Sequence, residues 1–336
     1  MKKFYYGNFF PEHQWMYHSI AQSWEKARYM NLFFCKDGEE NFYIEQEIPY
    51  FMEKIVSGLG YKYEIYNNQE VDLSPFTGET IGTDLKTLNS KLFSYQLNKK
   101  YNLESNIHVS SDFTSLKKAI DKLFKFNDKV VLKTEFGTSG RGNFLQNDKN
   151  IPKKIELIIK EEFKNKRQII IEPFHDIITD FSSLWKIDDE QIDFLCFTKM
   201  NNKGFQFREI IVPYSLDLPQ EEIKYYVSSC MKILADIQKE GFRGELSIDS
   251  AITKEGKMIK LFEINCRKTM GILAFSIMNF LKANQVSICT MSTIKEIDEI
   301  INSNETILTG DKLKFPLGVV NSSKAKNLIF ICKANR

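Results

Sequence analysis

The segment GFRGELSIDSAITKEGKMIKLFEINCRKTMG, residues 241–271, constrains the fold more than any other part of the chain. Two alternating runs flank Lys254, Glu255 and Gly256, so the spacing predicts a β-hairpin over residues 245–265 and an apolar helix starting near Met270. In the first run Leu246, Ile248, Ser250 and Ile252 face one way, leaving Glu245, Ser247 and Asp249 on the other side. In the second run Ile259, Leu261, Glu263 and Asn265 share a face. A three-residue loop with Gly256 in the left-handed conformation pairs Thr253 with Lys257 and sets Asp249 opposite Leu261. Asp249 and Glu263 are then diagonal same-face neighbours, about 7 to 8 Å apart at Cα, and can converge on one cation.

Two carboxylates and the Asn265 amide, with the remaining positions left to water and phosphate oxygens, form a hard oxygen site of the kind magnesium uses beside a nucleotide. Arg267, two residues further on, can neutralise charge on a transferring phosphoryl group. The ordinary alternative is a solvated, charged hairpin face. Strong apolar character in both strands and a second phosphate-binding candidate upstream favour the site.

That second candidate is VVLKTEFGTSGRGNF, residues 130–144. It places Lys133 at the end of an apolar strand and Gly137, Gly140 and Gly142 directly after it. Glycines let the backbone approach an anion closely with consecutive N–H groups pointing at it, and Ser139 and Arg141 add a hydroxyl and a cation. The order GxxGxG is neither a Walker A loop nor a dinucleotide fingerprint, and the expected next element is a strand near 143–146 rather than a helix. A hairpin whose glycines only satisfy turn geometry is the competing explanation.

Composition narrows the class. Lysine and arginine total 46 against 44 aspartate and glutamate, too even a balance for a typical nucleic-acid binder. The longest mostly apolar stretch, residues 271–281, is broken by Ser276 and Asn279 and is too short for a membrane helix. The first residues show no secretory signal, and six cysteines without a CxxC pair fit reduced thiols, so the expectation is a soluble cytoplasmic protein without disulfides or a zinc site.

Elsewhere the periodicity predicts helices over 48–59, 85–99, 115–126, 153–164 and 219–240. Strands are expected over 129–134 and 168–172, followed by an antiparallel meander over 181–187, 192–200 and 205–212. Helices and antiparallel strands together give an α+β class. Between the two candidate sites, IIIEPFHDIITDF (residues 169–181) ends an apolar strand at Glu172, and Pro173 and Phe174 then supply a ladder break and an aromatic face suited to adenine.

The order of lysine and glycine loop, E-P-F hinge, aspartate strand and E-I-N-x-R resembles the ATP-grasp superfamily of carboxylate ligases over residues 129–274. E-I-N-C-R-K-T-M-G (263–271) with T-S-G-R-G (138–142) is most similar to bacterial ATP-grasp proteins of undefined substrate. The resemblance implies two α+β subdomains that clasp ATP, residues 101–174 as a lid and 175–336 as the larger unit. An α/β N-terminal domain over 1–100 would precede them. It implies ATP and magnesium as cofactors, with Lys91 and Lys133 on phosphates and Gly137, Thr138, Ser139, Gly140 and Gly142 closing over them, aided by Arg141. Glu172, Pro173, Phe174 and Asp180 would hold the nucleotide, partly through backbone hydrogen bonds, and Asp249, Glu263 and Asn265 the metal. Arg267 would steady the acyl phosphate.

A glycine-aromatic-x-glycine turn expected in the meander lacks its second glycine, and Arg208 and Arg243 are the candidates to clamp a substrate carboxylate. The implied reaction joins a small-molecule carboxylate to an amine, such as an amino acid or peptide, with neither nucleic acid nor membrane as partner and a homodimer as the default assembly. A small-molecule kinase and a non-catalytic nucleotide-binding protein are the alternatives.

Overall fold

The computed structural model describes residues 4–6, 33, 41–43, 50–60, 65–66, 73–75, 79–80, 84–104, 106–137, 140, 142–291, 311–321 and 327–335. Near the N-terminus, strands β1 (Phe4–Tyr6), β2 (Asn41–Tyr43), β3 (Ile65–Tyr66) and β4 (Leu73–Pro75) form a parallel sheet of order β3-β2-β1-β4. Parallel neighbours need a crossover, and helix α1 (Tyr50–Gly58) lies in the one between β2 and β3. A short strand β5 (Glu79–Thr80) follows.

The helix expected over 85–99 is two helices, α2 (Leu85–Leu88) and α3 (Lys91–Lys100). Asn89 and Ser90 break it by local capping. The Asn89 amide donates to Leu85 O at 2.8 Å, while Ser90 is extended and its Oγ accepts the Leu92 N–H at 3.1 Å. Lys91 is thereby the first residue of a helix.

The second sheet is antiparallel, with β6 (His108–Ser110), β7 (Val130–Thr134), β8 (Asn143–Gln146) and β9 (Ile169–Pro173) in the order β6-β9-β7-β8. Helices α4 (Phe113–Leu123), capped by Asp112, and α5 (Lys153–Lys164) pack on one face. Alternation on β7 decides what each face does: Val130 and Leu132 join that core, and Val131 and Lys133 turn to the cleft.

The remaining elements are β10 (Ile177–Ile187), β11 (Ile192–Lys203), β12 (Gln206–Val212), α6 (Gln220–Lys239), β13 (Phe242–Thr253), β14 (Met258–Asn265), α7 (Met270–Leu281), β15 (Gln285–Met291), β16 (Lys312–Asn321) and β17 (Asn327–Asn335). Their strands form an antiparallel sheet of order β14-β13-β10-β11-β12-β15-β17-β16, with β5 paired to β13. The sheet separates two cores. One holds Leu184, Ile210, Val212 and the faces of α7; the other holds Phe181, Trp185, Phe197, Leu246, Ile248 and residues of α6 such as Tyr226 and Ile233.

An edge strand leaves unpaired backbone groups, and α3 covers those of β14 with side chains. Asn98 donates to Leu261 O at 2.9 Å and Ser94 Oγ accepts the Ile264 N–H at 3.1 Å, while just outside both elements Asn89 donates to Cys266 O at 3.3 Å. This docking carries Lys91 to the end of the strand that bears Glu263.

The hairpin differs from its expected register. At the turn Gly256 has φ +79° and the Thr253 N–H donates to Lys257 O at 2.9 Å, as the loop chemistry predicts. Ala251 pairs with Ile259, but Asp249 pairs with Glu263 rather than Leu261, so four residues of β14 span two of β13. A bulge of two extra residues preserves the face, because side chains repeat every two positions, and replaces a diagonal relationship with a direct one. It also lets Leu261 and Ile264 enter the same core and turns Phe262 to the cleft.

Candidate active site

A cavity of about 780 Å³ lies between the second sheet and the large sheet. On its large-sheet side, register aligns Glu263, Asp249, Ser182 and Thr198 in one row across β14, β13, β10 and β11. Asp249 Oδ1 accepts from Ser182 Oγ at 2.7 Å and Oδ2 from the Asn265 amide at 3.0 Å. Burial, and then the Glu263 carboxylate beside it, push Asp249 up to about 7. Asp180, two residues before Ser182 on the same face, is pushed up to about 6 by burial, against the opposing effects of the Asn202 amide and Lys133.

The cations are placed by other elements. Lys91, buried at the start of α3, donates from Nζ to Glu263 Oε1 and to Gly137 O, both at 3.0 Å. Lys133 forms an ion pair with Glu172, and its ammonium lies 5.1 Å from the centre of the Phe262 ring. Arg267 is buried, and its NH2 donates to Asn265 Oδ1 at 3.1 Å, so the metal-candidate amide and the guanidinium hold each other's orientation.

Glycine is required where the two sides of the cavity meet. Gly140 has φ +74°, and a Cβ there would stand 1.7 Å from Phe205 O at the β11–β12 turn. Gly142 has φ +86°, and its Cβ would stand 2.1 Å from Thr134 Oγ1. Thr138, Ser139 and Arg141 lie outside the described residues.

Beneath the acid row a buried relay reaches the bulge. Trp185 Nε1 donates to Ser183 Oγ, which bonds Tyr226 OH, which bonds Ser250 Oγ, which donates to Lys260 O, each at 2.8 Å. Lys260 sits where the β13–β14 ladder is interrupted, so Ser250 supplies a hydrogen bond to its carbonyl. The relay thus ties β10 and α6 to the β14 backbone within the bulge.

Lys91, Lys133, Gly137, Gly140, Glu172, Pro173, Phe174, Asp180, Asp249, Glu263, Asn265 and Arg267 all line this one cavity. Two expectations need correction. Arg208 and Arg243 are absent from the lining. Arg243 is drawn to Asp189 at 2.7 Å and to the carbonyls of Gln238 and Phe242, while Arg208 NH2 turns to Gln206 Oε1 at 3.4 Å. At the hinge, the Phe174 N–H donates to Lys129 O at 3.1 Å, so that backbone donor is not left for a ligand. Ser182 and Phe262 were missed by sequence reasoning. A small polar residue two positions after Asp180 in an apolar strand was the available signal for Ser182, whereas Phe262 reaches the cleft only through the bulge.

Among the described residues, no group of three or more His, Cys, Asp or Glu is placed to hold a metal. The Asp249, Glu263 and Asn265 oxygens fit a hard cation that completes its shell with nucleotide and water oxygens, and burial beside the Glu263 carboxylate leaves Asp249 in a site where such a cation would offset the charge. Among the same residues, no helix is long and apolar enough to cross a membrane.

The whole chain is similar in structure to N5-carboxyaminoimidazole ribonucleotide synthetase in its ADP complex, with a TM-score of 0.59 and 12% identity over 99% of this chain and 92% of that one. It is also similar to the biotin carboxylase domain of Hydrogenobacter thermophilus 2-oxoglutarate carboxylase, in complex with MgADP, ADP and bicarbonate. There the TM-score is 0.61 and identity 12%, over 100% of this chain and 86% of that one. The chain has the ATP-grasp fold, as the motifs led us to expect. In sequence, 166 residues are 27% identical to the butirosin acyl-carrier protein L-glutamate ligase of Niallia circulans. That match takes in 48% of this chain and only 38% of that protein's length. No protein-family model matches the chain.

Proposed function

We propose that this protein is an ATP-dependent carboxylate-amine ligase, which activates a small-molecule carboxylate as an acyl phosphate and joins it to an amine, giving ADP and phosphate. One observation carries the reading: the Asp249–Glu263 pair, Asn265 and Arg267 share a cavity with Lys91, Lys133 and the glycine loop. The fold and the relative named as a glutamate ligase support it.

An oxygen of the acid bonds to the γ-phosphorus as the bond to the ADP oxygen breaks. The amine nitrogen then bonds to the acyl carbon, phosphate departs with the electrons of the C–O bond, and the nitrogen loses a proton. Magnesium, when bound by Asp249, Glu263 and Asn265 with nucleotide oxygens, supplies positive charge that eases the approach of two anions. Lys91 and Lys133 hold the phosphates, and Arg267, fixed by Asn265, faces the charge on the transferred group. The close approach of Gly140 to the Phe205 backbone brings the glycine loop against the β11–β12 turn at the edge of the cleft. Positioning and electrostatics provide the rate in such a transfer, with little covalent work for the protein.

The test is an ADP-release screen of amino acids, singly and in pairs, with product masses determined. A condensed product with free phosphate is expected, and Glu263→Ala should abolish magnesium-dependent ADP formation. A stable phosphorylated product would instead support a kinase, and absence of magnesium-dependent ATP binding would sink both.

A further inference from the structure

The plane of an aspartate carboxylate is poorly fixed by its own side chain, because the torsion about Cβ–Cγ is broad and roughly two-fold. Asp249 is fixed from outside, by donors on the two strands that flank β13. Ser182 on β10 donates to Oδ1 at 2.7 Å, and Asn265 on β14 donates to Oδ2 at 3.0 Å. Each oxygen of an ionised carboxylate accepts about two partners, so one direction on each is left for a cation.

The two donors differ in what holds them. Strand β14 ends the sheet, and Asn265 is its last residue, oriented in turn by Arg267 NH2 at 3.1 Å. Strand β10 is paired on both sides, with β13 and β11, and Ser182 faces Asp249 directly across the first of these ladders. Its neighbours Phe181 and Ser183 turn to the opposite core, and Ser182 itself lines the cavity while only 3% exposed. A hydroxyl on a strand bonded at both edges is the more rigid of the two donors, and a ligand held by a rigid neighbour keeps its geometry.

We propose that Ser182 is a positioning residue for the cation site: its hydroxyl sets the plane in which Asp249 presents its remaining lone pairs to a divalent cation shared with Glu263 and Asn265. This rests on the ligase reading for the presence of that cation, and adds a residue that acts through Asp249 rather than on the reacting groups. Arg267 is linked to Ser182 only at third hand, through Asn265 and Asp249, so removing the hydroxyl acts on cation binding before it acts on the phosphate contact.

The test measures Mn²⁺ binding to the full chain with ADP present, by electron paramagnetic resonance. Ser182→Ala should weaken it by about 10-fold or more, the scale on which residues that orient metal ligands act. Ser182→Cys, a near-isostere whose thiol donates weakly, should show the same loss with the packing kept, and Ser182→Thr, which retains the hydroxyl, should restore most of the affinity. Thr198→Ala is the control for packing. Thr198 is the next hydroxyl of the same row, on β11, buried without a hydrogen-bond partner among the described residues and absent from the cavity lining, so its loss should leave Mn²⁺ affinity where it is. In ADP release, the change in Ser182→Ala should fall on the magnesium concentration for half-maximal rate, with kcat at saturating magnesium within about threefold of the natural chain. Unchanged Mn²⁺ affinity in both the alanine and the cysteine variant, or an equal loss in Thr198→Ala, overturns the proposal. Weakened Mn²⁺ binding in a protein that releases ADP with no acid and amine would support the role of Ser182 and sink the ligase reading; a condensed product from Ser182→Ala with Mn²⁺ affinity unaltered would do the reverse.

Discussion

Glu263 stands directly across the β13–β14 ladder from Asp249, two residues out of the register that an unbroken hairpin imposes. Ser182 and Asn265 hold the Asp249 oxygens, and Lys91 holds Glu263. Burial, and then the nearby Glu263 carboxylate, make an ionised Asp249 costly to stability; in the proposed function the same arrangement would bind a cation, a common exchange at functional sites.

Asp249→Asn should therefore stabilise the metal-free protein and abolish magnesium-dependent ADP formation. The folded-state value is raised from 3.8 to about 7, so the carboxyl's contribution is fully present below pH 4 and is lost as pH rises toward and through 7. Thermal unfolding in EDTA between pH 5 and pH 8 should show a falling Tm for the natural chain and a flatter profile for the variant. Equal slopes would show that Asp249 is not raised in the folded state.

Tyr226→Phe keeps the buried ring and cuts the relay between Ser183 and Ser250. The loss of stability should be about 1–3 kcal/mol, the cost of leaving buried polar groups unpaired. If the relay holds the bulge, Mn²⁺ affinity measured by electron paramagnetic resonance should also fall, by about 10-fold or more. Unchanged Mn²⁺ binding would make the relay purely structural.

Gly140→Ala and Gly60→Ala both place a side chain at positive φ, but only Gly140 has backbone against it. Each should cost about 1–2 kcal/mol from backbone strain, and Gly140→Ala alone should lower ATP turnover, by displacing the loop from Phe205. Steady-state kinetics alongside urea unfolding separate the two effects.

Arg267→Ala should reduce kcat by about 10²-fold or more, the scale of losing one electrostatic contact to a transition state. Arg243→Ala and Arg208→Ala should keep kcat and both KM values within about threefold, because neither side chain lines the cavity. A large KM effect at either position would restore the clamp.

Much of the fold was legible in the chain itself. The boundaries of β8 and α5 match the expected strand at 143–146 and helix at 153–164, and the meander and hairpin appear where alternation predicts them. Gly256, Asp112 and Ser90 act through bonds to residues within a few positions, so local chemistry suffices to place a turn or a cap. What short-range pattern could not carry was decided by distant partners. The two-residue bulge is tied to α6 through Tyr226 and Ser250, and Lys91 reaches Glu263 because α3 docks on the edge of β14 some 170 residues later in the chain. Arg243 turns to Asp189 and to the Gln238 carbonyl of α6, and Arg208 to Gln206 on its own strand, so neither lines the cavity; a guanidinium's direction depends on which acceptors the packed structure brings within reach. Sequence alone thus named most of the residues that gather in one cavity, through residue types and order along the chain; only tertiary packing fixed which of those groups face one another.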